Sequence, residues 1–141
     1  MSVEQNKQIV RRFFQHTSEG DIQKAFELLA PDATWWFPSD QPEGITMTKE
    51  QMAGTTDTFM KLFKQKPTFT MVSLTAEDDR VSMEQIGRDG LTHGGNTYNN
   101  NYHMFFRLED GLICEIKEYM NPLAAVPLMG EMQAGQQPAE A

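Results

Sequence analysis

Hydrophobic and polar positions alternate along this chain first with a helical period and later with a strand period. Residues 3 to 19 and residues 22 to 29 place apolar side chains three or four positions apart, which predicts two amphipathic helices. A third helix is predicted over residues 49 to 64, because Thr48 and Gln51 have the spacing of a capping box. The first half of the chain is therefore expected to be mainly helical.

The second half has the two-residue alternation that is typical of β-strands. Asp110 and Gly111 lie between two alternating runs, and this is among the strongest short sequence signals for a β-hairpin. Because the helices come first and the strands later, the order favours an α+β fold with the helices on one face of an antiparallel sheet. The strands are predicted over residues 33–37, 68–76, 81–88, 99–108 and 112–120.

The length of 141 residues fits one domain with a core of its own. We place this domain over residues 1–126. From residue 127 onward the composition turns to Gln, Ala, Gly, Pro and Glu, so residues 127–141 are predicted to form a flexible C-terminal tail.

Charge and cysteine content narrow the classes of function. A net charge of −8 disfavours nucleic acid or an anionic membrane as a partner. No apolar run is long enough to span a membrane and no signal peptide opens the chain, so we expect a cytoplasmic location. Cys114 is the single cysteine, and His16 and His93 lack the spacing of metal ligands. We predict neither a metal nor a cofactor.

Five short motifs carry a resemblance to one known superfamily. They are Glu19-Gly20-Asp21, Pro31-Asp32-Ala33-Thr34, Tyr98-Asn99, Asp110-Gly111 and Glu118-Tyr119. In this order and spacing, residues 3 to 123 resemble the NTF2-like superfamily, and within it the SnoaL-like and ketosteroid-isomerase-like proteins. The resemblance implies an NTF2-like cone, in which three N-terminal helices pack on a strongly curved, mostly antiparallel sheet. It also implies a homodimer formed through the outer face of that sheet.

The catalytic residues of the steroid isomerases have few counterparts in this sequence. The position of their general-base aspartate is Phe37, that of their tyrosine proton donor is Phe13, and that of their protonated aspartate is His103. The usual isomerase mechanism is therefore not expected. The same register implies that Asn101, His103 and Phe105 face a pocket, as do four residues of the last strand: Cys114, Ile116, Glu118 and Met120.

His103 with Glu118 is the strongest candidate catalytic pair. A histidine titrates near neutral pH, and a carboxylate beside it raises its basicity and fixes its tautomer. Asn101, on the same expected face, would donate a hydrogen bond to a developing oxyanion. The structural alternative is a buried histidine that is hydrogen-bonded to a neighbouring strand.

The stretch Lys117-Glu118-Tyr119 is similar to one in the limonene epoxide hydrolases, which have a catalytic carboxylate at the position of Glu118. Those enzymes also need an Arg-x-Asp pair, whereas this chain has Glu84 and Arg88 in a different order and spacing. Glu84 and Arg88 would either orient a substrate in the cavity or form a solvated ion pair of little energetic value.

Two functions are compatible with these sequence features. The first is a cofactor-independent isomerase, cyclase or hydrolase that acts by acid–base chemistry on a small hydrophobic carbonyl or epoxide compound. The second is a non-catalytic binder of an apolar small molecule. For either function, we expect the pocket to be lined by Phe13, Trp36, Phe37, Phe59, Phe63, Glu84, Arg88, Phe105, Ile116 and Met120.

Overall fold

The computed structural model describes residues 1–136 and confirms an α+β fold of the NTF2-like type. Within this range the helices are α1 (Val3–Glu19), α2 (Ile22–Phe26), α3 (Lys49–Lys61) and α4 (Pro122–Gln136). The strands are β1 (Leu29–Phe37), β2 (Ile45–Thr48), β3 (Phe63–Gln65), β4 (Thr68–Glu77), β5 (Arg80–Thr92), β6 (Thr97–Glu109) and β7 (Leu112–Met120).

Helices α1 and α3 both begin with a capping box. Ser2 Oγ accepts the Gln5 backbone N–H at 3.1 Å, and Gln5 Oε1 accepts the Ser2 N–H at 2.8 Å. Thr48 and Gln51 make the same two bonds at 3.1 and 2.9 Å, so the predicted start of the third helix is confirmed. Each box satisfies two backbone donors that the first helical turn leaves without a partner.

The seven strands form one curled sheet in the order β2-β1-β7-β6-β5-β3, and β4 also pairs with β5. The pairing of β1 with β7 is parallel, and the other pairings are antiparallel. Irregularities in register interrupt β4–β5, β5–β6 and β6–β7. Such bulges bend a strand and increase its twist, which helps the sheet to curl around one face. We call this concave face the inner face and the opposite one the outer face.

The inner face packs against the first helices to form the core. Phe13 of α1 lies 5.8 Å from Trp35 of β1 and 5.6 Å from Phe106 of β6, measured between ring centroids. All three side chains are buried. Burial of a large apolar side chain contributes roughly 1.5–3 kcal/mol, so this aromatic cluster holds α1 against the middle of the sheet.

The sequence prediction lacks strands β2 and β3 and helix α4. The prediction of a flexible tail is wrong for residues 127–136. These residues belong to α4, and Leu128 is only 1% exposed within the hydrophobic core. The composition of this segment gave no signal for a docked helix, because Leu128 is a buried residue among mostly small and polar ones. Residues 137–141 lie outside the described residues.

Between residues 1 and 136, no helix is both long and apolar enough to cross a membrane.

Candidate active site

Strand β6 alternates between the two faces of the sheet along its whole length. Its inward positions run from Tyr98 through Asn100, Tyr102 and Met104 to Phe106, and all of them are buried. The positions between them are exposed or partly exposed. The inner face of β6 therefore carries two tyrosines and an asparagine within an otherwise apolar surface.

The prediction that Asn101, His103 and Phe105 face inward is wrong. Asn101 and His103 are exposed, and the cross-strand partner of His103 on β5 is Glu84, which is also exposed. Glu118 of β7 pairs instead with Met104, so its side chain lies on the opposite face from His103. The predicted His103–Glu118 pair is not formed.

Glu118 is an acidic side chain on the same inner face as the two tyrosines. Its Oε1 accepts a hydrogen bond from Trp35 Nε1 at 3.2 Å. The side chain keeps some accessible surface, yet burial of its carboxylate raises its pKa to about 7, and the bond from Trp35 offsets this only in part. A carboxyl with this pKa is partly protonated and partly ionised near neutral pH, so it can both accept and donate a proton.

Tyr98 and Tyr102 form a hydroxyl pair on the same face of the sheet as this carboxyl. Their hydroxyl groups are hydrogen-bonded to each other, and Asn100 Nδ2 donates to the Tyr98 hydroxyl at 3.0 Å. Burial raises the pKa of both tyrosines, and the nearby charge of Glu118 raises it further. The pair is therefore neutral at physiological pH and keeps both of its hydroxyl hydrogens.

One hydroxyl hydrogen of this pair has no acceptor among the described side chains. The pair has two hydroxyl hydrogens, and the bond between the two tyrosines uses one of them. The Asn100 bond uses a hydrogen of the amide, so it consumes no hydroxyl hydrogen. The remaining hydrogen is available to an oxygen atom of a ligand.

Aromatic side chains surround this polar cluster. Phe59 lies 5.7 Å from Tyr98 and Phe63 lies 6.0 Å from it, measured between ring centroids. Phe26 lies 6.0 Å from Trp35. Of the other residues expected to line the pocket, Phe13 and Ile116 are buried in the core, and Phe37 and Met120 are partly buried against it.

Three other expected pocket residues lie outside this cluster. Trp36 follows the inward Trp35 and so points to the outer face, where it packs 5.1 Å from Tyr119 and donates to Glu43 O at 2.8 Å. Glu84 is exposed on the outer face, as its pairing with His103 shows. Arg88 donates to Asn101 Oδ1 at 2.7 Å and to the Asn100 carbonyl at 3.0 Å. These contacts correct the pocket assignment of Trp36, Glu84 and Arg88.

Two cavities lie elsewhere on the molecule. One of about 730 Å³ is a groove between α2 and α3, lined by Ile22, Phe26 and Lys49 among others. The other, of about 400 Å³, lies between the N-terminus and the acidic turns at Asp79 and Asp110. Neither is lined by Glu118 or the tyrosine pair. Within residues 1–136, no group of three or more His, Cys, Asp or Glu side chains is arranged to hold a metal ion.

The sequence of residues 10–116 matches the profile of the SnoaL-like domain. This match covers most of the chain. The chain belongs to the SnoaL-like family. The resemblance to SnoaL-like proteins drawn from the motifs is thereby confirmed. No curated protein sequence matches this SnoaL-like chain significantly.

Solved structures of similar fold agree with this assignment. PrhC from Penicillium brasilianum superposes with a TM-score of 0.79 at 14% identity, over 95% of this chain and 91% of PrhC. IdmH from Streptomyces antibioticus, a proposed polyketide cyclase, gives 0.71 at 20% identity, over 89% of this chain and 98% of IdmH. TerC, co-crystallised with polyporic acid, gives 0.73 at 14% identity, over 89% of this chain and 98% of TerC. At such identities the likeness shows the fold alone.

The sequence did contain a signal for the correct face of β6. Its even-numbered positions from Tyr98 to Leu108 are mostly apolar, and its odd-numbered positions are mostly polar. Plain alternation therefore predicts Tyr98, Asn100 and Tyr102 on the inside. The resemblance to the steroid isomerases instead implied that Asn101 and His103 face inward, and this placed the expected site on the outer face of β6.

Proposed function

We propose that this protein is a cofactor-independent isomerase or cyclase that moves protons on a small hydrophobic carbonyl compound. The observation that carries the proposal is Glu118, a desolvated carboxyl with a pKa of about 7 on the same inner face as a hydroxyl pair. Membership of the SnoaL-like family and the fold shared with IdmH, a proposed polyketide cyclase, support it.

The first step uses Glu118 as a general base. Its carboxylate takes a proton from the carbon next to the substrate carbonyl, so a C–H bond breaks and an O–H bond forms on Glu118. The electron pair moves to the carbonyl oxygen and gives an enolate. The spare hydroxyl hydrogen of the Tyr98–Tyr102 pair donates to that oxygen, where negative charge develops.

The second step returns the proton from the carboxylic acid of Glu118. If the proton goes to a different carbon of the enolate, the substrate is isomerised. If the enolate carbon first attacks a second carbonyl of the same molecule, a ring closes and the proton goes to the new alkoxide. Both routes restore the carboxylate and need no oxidant or reductant. A carboxyl with a pKa near neutrality suits both directions of transfer.

Proton exchange in heavy water tests this function. Enolisable ketones, starting with α-tetralone, are incubated with the protein, and NMR follows the replacement of the proton next to the carbonyl by deuterium. We expect Glu118→Gln to slow the exchange by about 100-fold or more, since general acid–base catalysis typically contributes that much. Glu84→Gln, a matched change on the exposed outer face, should leave the rate unaltered. Equal rates in wild type and Glu118→Gln would contradict the proposal.

A non-catalytic binder of an apolar molecule is the second candidate. The observation that favours it is the apolar character of Phe13 and Phe37 at positions where the steroid isomerases have polar catalytic groups. Binding of apolar ligands without proton exchange in any ketone would support this function. The homodimer through the outer face and the cytoplasmic location remain predictions.

A further inference from the structure

Three consecutive asparagines occupy β6, and only the middle one is buried. Asn100 is 3% exposed, whereas Asn99 and Asn101 are exposed. The outer two use their carbonyl oxygens: Asn99 Oδ1 accepts the Asp89 N–H at 2.9 Å, and Asn101 Oδ1 accepts from Arg88 at 2.7 Å. Asparagine is disfavoured in strands, so a buried one requires a compensating set of hydrogen bonds.

The Asn100 side chain has that set. Its Nδ2 donates to the Tyr98 hydroxyl at 3.0 Å and to the Asn121 carbonyl at 3.1 Å. Its Oδ1 accepts the backbone N–H of Asn101 at 2.9 Å and that of Asn121 at 3.0 Å. Both amide hydrogens and both lone pairs are thus in use.

Backbone groups fix which way this amide points. If the amide were turned over, its oxygen would face the Asn121 carbonyl and its NH₂ would face the N–H groups of Asn101 and Asn121. Every one of these contacts would then pair two acceptors or two donors. The network therefore leaves one orientation, in which Nδ2 faces Tyr98 and the tyrosine oxygen has to accept.

We propose that Asn100 is a positioning residue that makes the Tyr98–Tyr102 pair a net hydrogen-bond donor towards the ligand. Because Tyr98 accepts from Asn100, the pair spends one hydroxyl hydrogen internally and keeps the other for a ligand oxygen. An acceptor at position 100 would take the Tyr98 hydrogen, and Tyr98 would then take that of Tyr102. Both hydroxyl hydrogens would be consumed within the protein. The direction of these hydrogen bonds does not depend on the proposed function. Only the presence of a ligand oxygen that accepts the remaining hydrogen rests on it.

Asn100→Asp is the variant that reverses the bond, and the chain offers two matched controls. Asn99→Asp and Asn101→Asp add the same charge on the same strand, but the oxygen atoms that they use remain acceptors. The probes are α-tetralone and tetralin, two ligands that differ by the carbonyl oxygen. We expect wild type and both controls to bind the ketone roughly tenfold more tightly than the hydrocarbon, as one buried hydrogen bond allows. Asn100→Asp should lose this preference while its tetralin affinity stays within about twofold of wild type.

A purely structural role for Asn100 would weaken binding of both probes together and leave their ratio intact. A retained ketone preference in Asn100→Asp would overturn the inference.

A second measurement needs neither ligand nor mutation, and so covers the case in which Asn100→Asp does not fold. Hydrogen exchange of the side-chain NH₂ groups is followed by NMR in the wild-type protein. Both Nδ2 hydrogens of Asn100 are bonded and buried, so they should exchange at least tenfold more slowly than those of Asn99 and Asn101. Equal exchange of the three would overturn the bond direction. Slow exchange at Asn100 in a wild-type protein without ketone preference would support the bond direction and count against the proposed function.

Discussion

At the residue scale, the position of each polar side chain depends on strand parity. Glu118 was expected on the inner face and lies there, because the β7 positions beyond the irregularity alternate as assumed. His103 was expected beside it and lies on the outer face, because β6 alternates with Tyr98 and Tyr102 on the inside. A one-residue error in parity moves every side chain of a strand to the other face. The sequence prediction therefore placed Asn101 and His103 on the inner face, where the structure has Asn100 and Tyr102.

Glu118 should also make stability depend on pH. Its pKa of about 7 in the folded state lies above its ordinary value of 4.5, so the folded protein holds the proton more tightly than the unfolded chain does. The contribution of Glu118 to the free energy of unfolding is therefore fully present below pH 4.5 and is lost as the pH rises from 4.5 to about 7. The two values differ by an amount equivalent to about 3 kcal/mol.

Chemical denaturation at several pH values checks this linkage. Between about pH 4 and about pH 8, we expect the free energy of unfolding of Glu118→Gln to rise relative to wild type by about 3 kcal/mol, since glutamine buries no charge. Glu84→Gln, exposed on the outer face, serves as the control and should follow wild type. A Glu118→Gln curve parallel to wild type would mean that the carboxyl is not desolvated.

At the element scale, α4 is the helix that could not be predicted from the composition of the sequence. Asn121, just before the helix, is held by Asn100, and Leu128 in the middle of the helix is buried. Further along, Glu131 accepts the Gly94 N–H at 3.0 Å and the Asn96 amide at 2.9 Å. These are tertiary contacts between distant parts of the sequence, which local propensity does not contain. Three large apolar residues of α4 remain exposed: Leu123, Val126 and Met129.

The Glu131 contacts should decide how firmly α4 is held. We expect Glu131→Ala to speed hydrogen–deuterium exchange in the second half of α4 by about tenfold, because two hydrogen bonds to a carboxylate are lost. Amides in the middle of β6 should keep their wild-type rates. Gln133→Ala, an exposed position on the same helix, is the matched control. Unchanged exchange in α4 would show that the Glu131 contacts do not hold the helix.

At the scale of the whole molecule, the order of helices and strands was enough to predict the α+β class, and the short motifs were enough to predict the family. Capping residues such as Thr48 and the Asp110-Gly111 turn are local signals, so the elements next to them were placed well. Strands β2 and β3 are short and are held by pairing with distant strands, so their sequences alone carry little signal. The candidate site could be predicted only in part. Glu118 is among the residues predicted from the sequence, whereas Tyr98, Asn100, Tyr102 and Trp35 are not.

The central claim is that Glu118 is an inner-face carboxyl tuned to transfer protons near neutral pH. The most direct measurement is an NMR titration of its side-chain carboxyl carbon, assigned by its disappearance in Glu118→Gln. The structure leads us to expect a midpoint at about pH 7. A midpoint near the ordinary value of 4.5 would contradict the claim, because it would show that the carboxylate is solvated and not poised for acid–base chemistry.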